Sequence, residues 1–157
     1  MKLNLLTVSS TILMLFAGGI SGEYLKDMSV TKVVDGDTVY ASYKGKIHKM
    51  RLLEIDAPER DQPMGNESTA FLKGLLIDKL IDADITGQDR YERDLAKIYV
   101  KGKDINRIMV SNGMAWVYDA YVTDKSFYKN QALAQTQQLG VWSSGDAIPP
   151  WTWRRNR

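Results

Sequence analysis

The 157-residue chain has no cysteine and a single histidine, His48. Without cysteine it can build no disulfide scaffold, thiolate zinc site, iron–sulfur cluster or cysteine nucleophile. One histidine leaves no HExxH metal motif and no histidine-cluster site, and it offers a Ser-His-Asp triad only one possible base. Proline is scarce, at four residues, and no apolar run reaches the ~20 residues that span a bilayer. Nor is there an excess of one charge: 21 Lys and Arg stand against 19 Asp and Glu, a formal net of +2. What is present is the makeup of a globular chain, 25% charged and 10% aromatic. Its length fits one ordinary domain with a core of its own, needing no metal or disulfide staple.

The charge is unevenly spread. Residues 1–22 carry one charged side chain, Lys2, and residues 151–157 carry three arginines and no acid. The stretch between them therefore holds 17 of the 21 basic residues and all 19 acidic ones. The body of the protein is slightly acidic, and the positive balance comes from its ends.

Residues 1–22 read as a signal peptide: Lys2, an apolar run over 11–20, then the small residues Ser21 and Gly22. An uncleaved membrane anchor is the alternative. Cleavage leaves an exported chain, periplasmic or secreted, with no stable membrane association. The body, 23–148, then precedes an aromatic and basic tail, 149–157.

The first half of the body reads as strands over 28–34, 38–43 and 47–55. The first two are separated by Asp35-Gly36-Asp37, a turn in which Gly36 is expected to take positive φ, and Lys44-Gly45-Lys46 is the second turn. Residues 66–80 read as a helix with Phe71, Leu72, Leu75, Leu76 and Leu80 on one stripe and Asn66 as a cap. Strands follow over 82–88 and 95–100, then helices over 104–112, capped by Asp104, and 124–139, stopped by Gly140. Pro149-Pro150 is expected to end regular structure. The string suits a mainly β protein with added helices (α+β), either a five-stranded OB-type barrel with three helices or an open sheet.

Three short segments at strand ends or turns hold the chemically informative residues. Asp37 and Asp56 are hard oxygen donors, suited to Ca²⁺ or Mg²⁺ and poor for zinc or copper. Arg51 and Arg93 are permanently charged forks that match phosphate oxygens. Glu59, across a turn stiffened by Pro58, could orient or deprotonate a water. Together these are the parts for in-line attack of water on a phosphodiester. Taken singly they also read as an ordinary turn, a salt-bridged strand residue and a charged hairpin tip. His48 is expected as a surface strand residue.

The three segments resemble the staphylococcal (micrococcal, thermonuclease-type) nuclease family, whose signature runs VxDGDT, RLxxxDxPE and YxRxLAxxY. This chain has Val34-Asp35-Gly36-Asp37-Thr38, then Arg51-Leu52 with Asp56, Pro58 and Glu59, then Tyr91, Arg93, Leu95-Ala96 and Tyr99. The similarity covers residues 30–142, with Gly140-Val141-Trp142 as a C-terminal landmark. It implies the five-stranded OB-type barrel with three helices and Ca²⁺-dependent hydrolysis of DNA and RNA to 3′-phosphate products. It matches Asp37 and Asp56 to the metal carboxylates, and Ala57, where the family commonly has Thr, to a ligand through its backbone carbonyl. Arg51 and Arg93 match the phosphate-binding arginines and Glu59 the proposed base. Tyr91 matches a pocket tyrosine. Tyr121 is the better match to a second, with Tyr118 its rival. The loop 60–65 is several residues shorter than in the best-known member. The partners expected are DNA and RNA, with the protein a monomer. The other readings are a non-catalytic OB-type nucleic-acid or protein binding module and a calcium-binding structural domain. The tail reads as a frayed end, as a grip on single-stranded nucleic acid, or as a segment folded back on the barrel through its tryptophans.

Overall fold

A computed structural model describes residues 22–157. The expected signal, apart from Gly22, lies outside the described residues. Five strands make the frame: β1 Glu23–Val33, β2 Thr38–Tyr43, β3 Lys46–Leu52, β5 Leu80–Gln88 and β6 Asp94–Val100, with the two-residue β4 Ile55–Asp56 between β3 and the first helix. They run in the order β3-β2-β1-β5-β6, and a parallel pairing of β3 with β6 closes the sheet into a barrel. Alternation drives this. In β2 and β3 the inward residues Val39, Ala41, Met50 and Leu52 are fully buried while their neighbours face out. β1 pairs with β2 and with β5, and register shifts at 25–28 and 30–32 bend it between them.

The helices are α1 Gly65–Leu76, α2 Ile105–Ser111, α3 Phe127–Thr136 and α4 Pro150–Arg155; short strands β7 Lys103–Asp104 and β8 Trp116–Val117 complete the chain. Leu72 and Leu76 of α1, Ile105 and Met109 of α2, and Phe127 of α3 are buried in one core with the barrel residues. Each such large apolar side chain contributes ~1.5–3 kcal/mol by leaving water. Asp104 caps α2 as expected, accepting from the Arg107 N–H at 2.9 Å. The expected OB-type architecture and its three helices are present, with one further short helix, α4.

Several local expectations are corrected. α1 stops at Leu76, because Ile77 turns extended and Asp78 has φ of 59°. Leu80 therefore opens β5 and is exposed rather than lying on the helical stripe. Asn66 is not the cap: Met64 holds that position in a left-handed conformation, with no side-chain cap bond. α3 begins at Phe127 because the Asp124 carboxylate folds the preceding turn, accepting from Ser126 N–H at 2.9 Å and from Arg107 at 2.7 Å. His48 is buried, not on the surface, with Nδ1 2.8 Å from Asp94 Oδ2. Pro149-Pro150 does not end regular structure: Pro150 is the first residue of α4, where its missing N–H costs nothing.

Two buried polar residues hold the frame together. Asn106 of α2 accepts from Ile98 N–H at 3.1 Å and donates to Leu53 and Ala96 carbonyls at 3.0 and 3.1 Å. Glu54, in the β3–β4 turn with φ of 68°, accepts through Oε1 from Thr123 N–H, Thr123 Oγ1 and Asp124 N–H at 3.1, 2.6 and 2.8 Å. Its Oε2 lies 3.1 Å from Lys97 Nζ. Burial pushes the Glu54 carboxyl up, but the bonds from Thr123, Asp124 and Lys97 outweigh it and leave it below the ordinary value. Bonds from Ser126, then the Arg107 guanidinium, hold Asp124 down at about 2.

Carboxyls held below their unfolded value contribute stability that is present above that value and lost as pH falls through the folded one. Asp35 acts in the opposite sense. Burial, then the neighbouring Asp37 charge, push it up to about 6, so its cost disappears as pH drops. The metal-free protein is thus expected to melt highest near about pH 4–5 and to lose stability from about pH 4 towards 2. Thermal melts across pH 2–8 measure this; a melting temperature still rising below pH 3 would contradict it.

Candidate active site

The site is assembled at one end of the barrel by four chain segments. The turn 34–37 between β1 and β2 brings in Asp37. Its Oδ2 accepts from Ala57 N–H at 2.8 Å, and its Oδ1 accepts from Thr38 Oγ1 at 3.1 Å. Gly36 is required here for space rather than for backbone sign. Its φ is not positive, contrary to expectation, and a Cβ would lie 2.0 Å from Ser68 Oγ and 2.7 Å from the Ala57 Cβ. The turn is thereby packed directly against the segment that carries Asp56.

Arg51, near the end of β3, is the hinge of the site. Nη1 donates to the Leu52 and Ile55 carbonyls at 2.6 and 2.9 Å, and Nη2 donates to Asp56 Oδ1 at 2.9 Å and lies 3.1 Å from Asp37 Oδ2. The guanidinium is largely buried and its plane is fixed by these four contacts. Burial pushes the Asp56 carboxyl above its ordinary value in spite of Arg154 and Arg51 beside it.

Arg93 precedes β6. It forms a double ion pair with Asp89, through Nε and Nη2 at 2.8 Å each, and points Nη1 towards Thr38 Oγ1 at 3.5 Å. Tyr91 lies under Arg90 and Arg93, at 4.7 and 5.6 Å from ring centroid to guanidinium carbon. Tyr118 and Tyr121 pack at 5.1 Å, placed by Tyr118 N–H donating to the Glu54 carbonyl at 2.8 Å.

Every residue assigned to the site from the sequence lines one open cavity of about 720 Å³: Asp37, Arg51, Asp56, Ala57, Glu59, Tyr91, Arg93 and Tyr121. Its size is that of a small-ligand site. Tyr118 lines it too, so the two tyrosines share the cavity. Tyr91 and Tyr121 are both about three-fifths exposed, at 62% and 61%, and so present their rings to whatever enters.

One residue of the cavity was not foreseen. Arg154 of α4 donates through Nη2 to Asp56 Oδ2 at 2.8 Å and through Nη1 to Glu59 Oε1 at 2.7 Å and Asp56 Oδ1 at 3.3 Å. Its only sequence signal was the cluster of three arginines at the C-terminus. Trp151, one turn earlier, stacks on Tyr118 at 5.6 Å and 22°. The tail is therefore folded back on the barrel, not frayed.

The donor set suits a hard divalent cation. Asp37 Oδ1 and Asp56 Oδ2 each accept one hydrogen bond among the described residues and so retain a lone pair. No thiolate or imidazole is near them to favour a softer metal. Among the described residues no three acidic or imidazole side chains cluster as ligands. The two carboxylates would need a backbone carbonyl and water to complete a shell.

The family model described as staphylococcal nuclease homologue matches residues 49–144, the span from β3 to just beyond α3. This chain belongs to the staphylococcal nuclease family. Among its relatives, an "Uncharacterized endonuclease" of Escherichia coli is 40% identical over 129 residues, covering 82% of this chain and 84% of that protein. One of the same description from Haemophilus influenzae is 42% identical over 127 residues, 80% and 71% of the two chains. A "Micrococcal nuclease" of Shigella flexneri is 35% identical over 137 residues, 80% and 79% of the two chains. Residues 145–157, which include Arg154, lie beyond the stretch that the family model matches.

Proposed function

We propose that this nuclease-family chain is an exported enzyme that hydrolyses phosphodiester bonds of DNA and RNA with the help of Ca²⁺, giving 3′-phosphate products. The observation that carries the reading is the placement of Arg51 between Asp37 and Asp56, in the same cavity as Arg93 and Glu59. On this reading Asp37, Asp56 and the Ala57 carbonyl hold the cation. When bound, it polarises a phosphate oxygen as a Lewis acid.

The chain's own residues do the rest. Arg51, already fixed in orientation, and Arg93 bind the scissile phosphate and stabilise its growing negative charge. Their value lies in being aimed before the reaction begins. Glu59 orients the attacking water and takes its proton as the water oxygen bonds to phosphorus. The bond from phosphorus to the 5′ oxygen then breaks, and that oxygen leaves as it takes a proton from solvent water. Tyr91 and Tyr121 offer flat faces to the flanking nucleotides.

Residues 1–22 act as the export signal, 23–148 form the nuclease domain and 149–157 are its C-terminal tail. The mature protein works as a monomer, periplasmic or secreted, without stable membrane association.

The test is digestion of single- and double-stranded DNA and of RNA by the purified protein with Ca²⁺, Mg²⁺ or chelator. Ca²⁺ is expected to support cleavage of both nucleic acids and chelator to abolish it. Undiminished digestion in chelator would overturn the metal-dependent reading. Binding without turnover in Ca²⁺ would select a non-catalytic module.

A further inference from the structure

Glu59 sits on the short loop 59–65, and that loop is closed mainly by Gln62. The Gln62 N–H donates to the Glu59 carbonyl at 2.9 Å, and Gln62 Oε1 accepts from the Glu59 N–H at 3.0 Å. These bonds fix the backbone of Glu59 but not its carboxylate. The carboxylate, about one-third exposed, has one hydrogen-bond partner among the described residues, Arg154.

Arg154 is not an isolated contact. The C-terminal segment meets the Glu59 loop at three places. Before α4, the Ile148 carbonyl accepts from Gln62 Nε2 at 2.6 Å, and Gln62 is buried. Within α4, Arg154 spans Glu59 and Asp56. After α4, Arg157 pairs with Asp61. The Trp151–Tyr118 stack docks the same helix on another residue that lines the cavity. The loop, closed on itself by Gln62, is thus braced further by the C-terminal segment.

The fork does not engage every oxygen of the site. It takes one Glu59 oxygen, Oε1, and leaves the other. Asp37, Asp56 and Glu59 face two guanidinium groups, Arg51 and Arg154, so a net negative charge remains. Arg93 is already paired with Asp89. The arrangement has the geometry of a brace and not the charge balance of a plug.

We propose that Arg154 is a positioning residue for the reaction: its planar fork ties Glu59 to Asp56 and so fixes the direction of the Glu59 carboxylate. The inference rests on the nuclease reading above and adds the C-terminal segment to its site. A lysine cannot reproduce the effect, because an ammonium is a point charge that does not hold two carboxylates in one plane. Loss of aim by ~1 Å is enough to cost about 10²-fold in rate.

Full-length wild type, Arg154→Ala, Arg154→Lys and Trp151→Ala are compared on a single-stranded oligonucleotide at saturating Ca²⁺, with melting temperatures taken on the same samples. Arg154→Ala is expected to lower kcat about 10–100-fold with KM within about threefold. Arg154→Lys should recover only a minor part of the loss. Trp151→Ala, which loosens the docking of α4, should lower kcat in the same direction. Should Arg154→Ala fail to fold, Arg154→Lys and Trp151→Ala decide. An unchanged kcat in folded variants overturns the proposal, and so does full recovery with lysine. A raised kcat overturns it as well, and makes the segment an obstruction. Absence of turnover in the wild type would instead overturn the nuclease reading itself.

Discussion

Arg93→Lys is expected to lower kcat on single-stranded DNA by ~10³-fold or more, the scale at which a transition-state arginine acts in phosphoryl transfer. The side chain is suited to the test because it is not structural. It is part-exposed, its ion pair is with a local loop residue, Asp89, and its Nη1 only approaches the Thr38 hydroxyl, at 3.5 Å. Lysine retains the charge and loses the fork, so the substitution isolates bidentate geometry from simple attraction. Arg51 is the poorer probe. It ties two main-chain carbonyls and two carboxylates together, and its loss would disturb the turn as well as the chemistry. Steady-state kinetics decide the matter. A fall in kcat of less than tenfold for Arg93→Lys would remove it from the role proposed.

The second large effect concerns stability. Glu54→Ala is expected to cost ~1–3 kcal/mol, the scale of leaving hydrogen-bonding partners unmatched, because Lys97 is only partly buried. Glu54 is 2% exposed, and truncation leaves Lys97 without its counter-charge and strips three donors at residues 123 and 124 of their acceptor. Thr123 is exposed and Asp124 half-buried, so water replaces only part of what those donors lose. The same loop carries Tyr118 and Tyr121, so the residual folded fraction should also bind substrate less well. Denaturant titration gives the free energy directly, and a loss below about 1 kcal/mol would mean that the network is slack. Residue 54 falls inside the motif that runs from Arg51 to Glu59, where the signature itself leaves it unspecified.

Those two residues mark what was legible in the sequence and what was not. Arg93, Arg51, Asp37, Asp56 and Glu59 could be picked out because hard anions and forked cations at strand ends have few structural uses that need all of them together. Strands β2, β5 and β6 were legible within a few residues because alternation is a property of neighbours in the chain. Misreadings arose where the deciding partner lies far away. His48 looks like a surface residue until Asp94, 46 positions on, covers it. Gly36 looks like a positive-φ turn residue, but its reason is Ser68 pressed against it from α1. Leu80 continues a helical period that the chain abandons at Ile77 in order to begin β5. Arg154 meets Asp56 across 98 positions, and no local pattern distinguishes a docked arginine from a solvated one.

The parallel seam between β3 and β6, which sets Met50 beside Asp94 and Arg51 beside Leu95, has a consequence in time. It joins the β2–β3 hairpin to the β5–β6 hairpin, and long-range pairings of this kind are slow to make. Until the seam is stitched, Arg51 and Arg93 belong to separate parts of a chain with no shared pocket. On the proposed reading catalytic power therefore waits on this pairing. A copy in which the seam has not formed is expected to leave nucleic acid uncut.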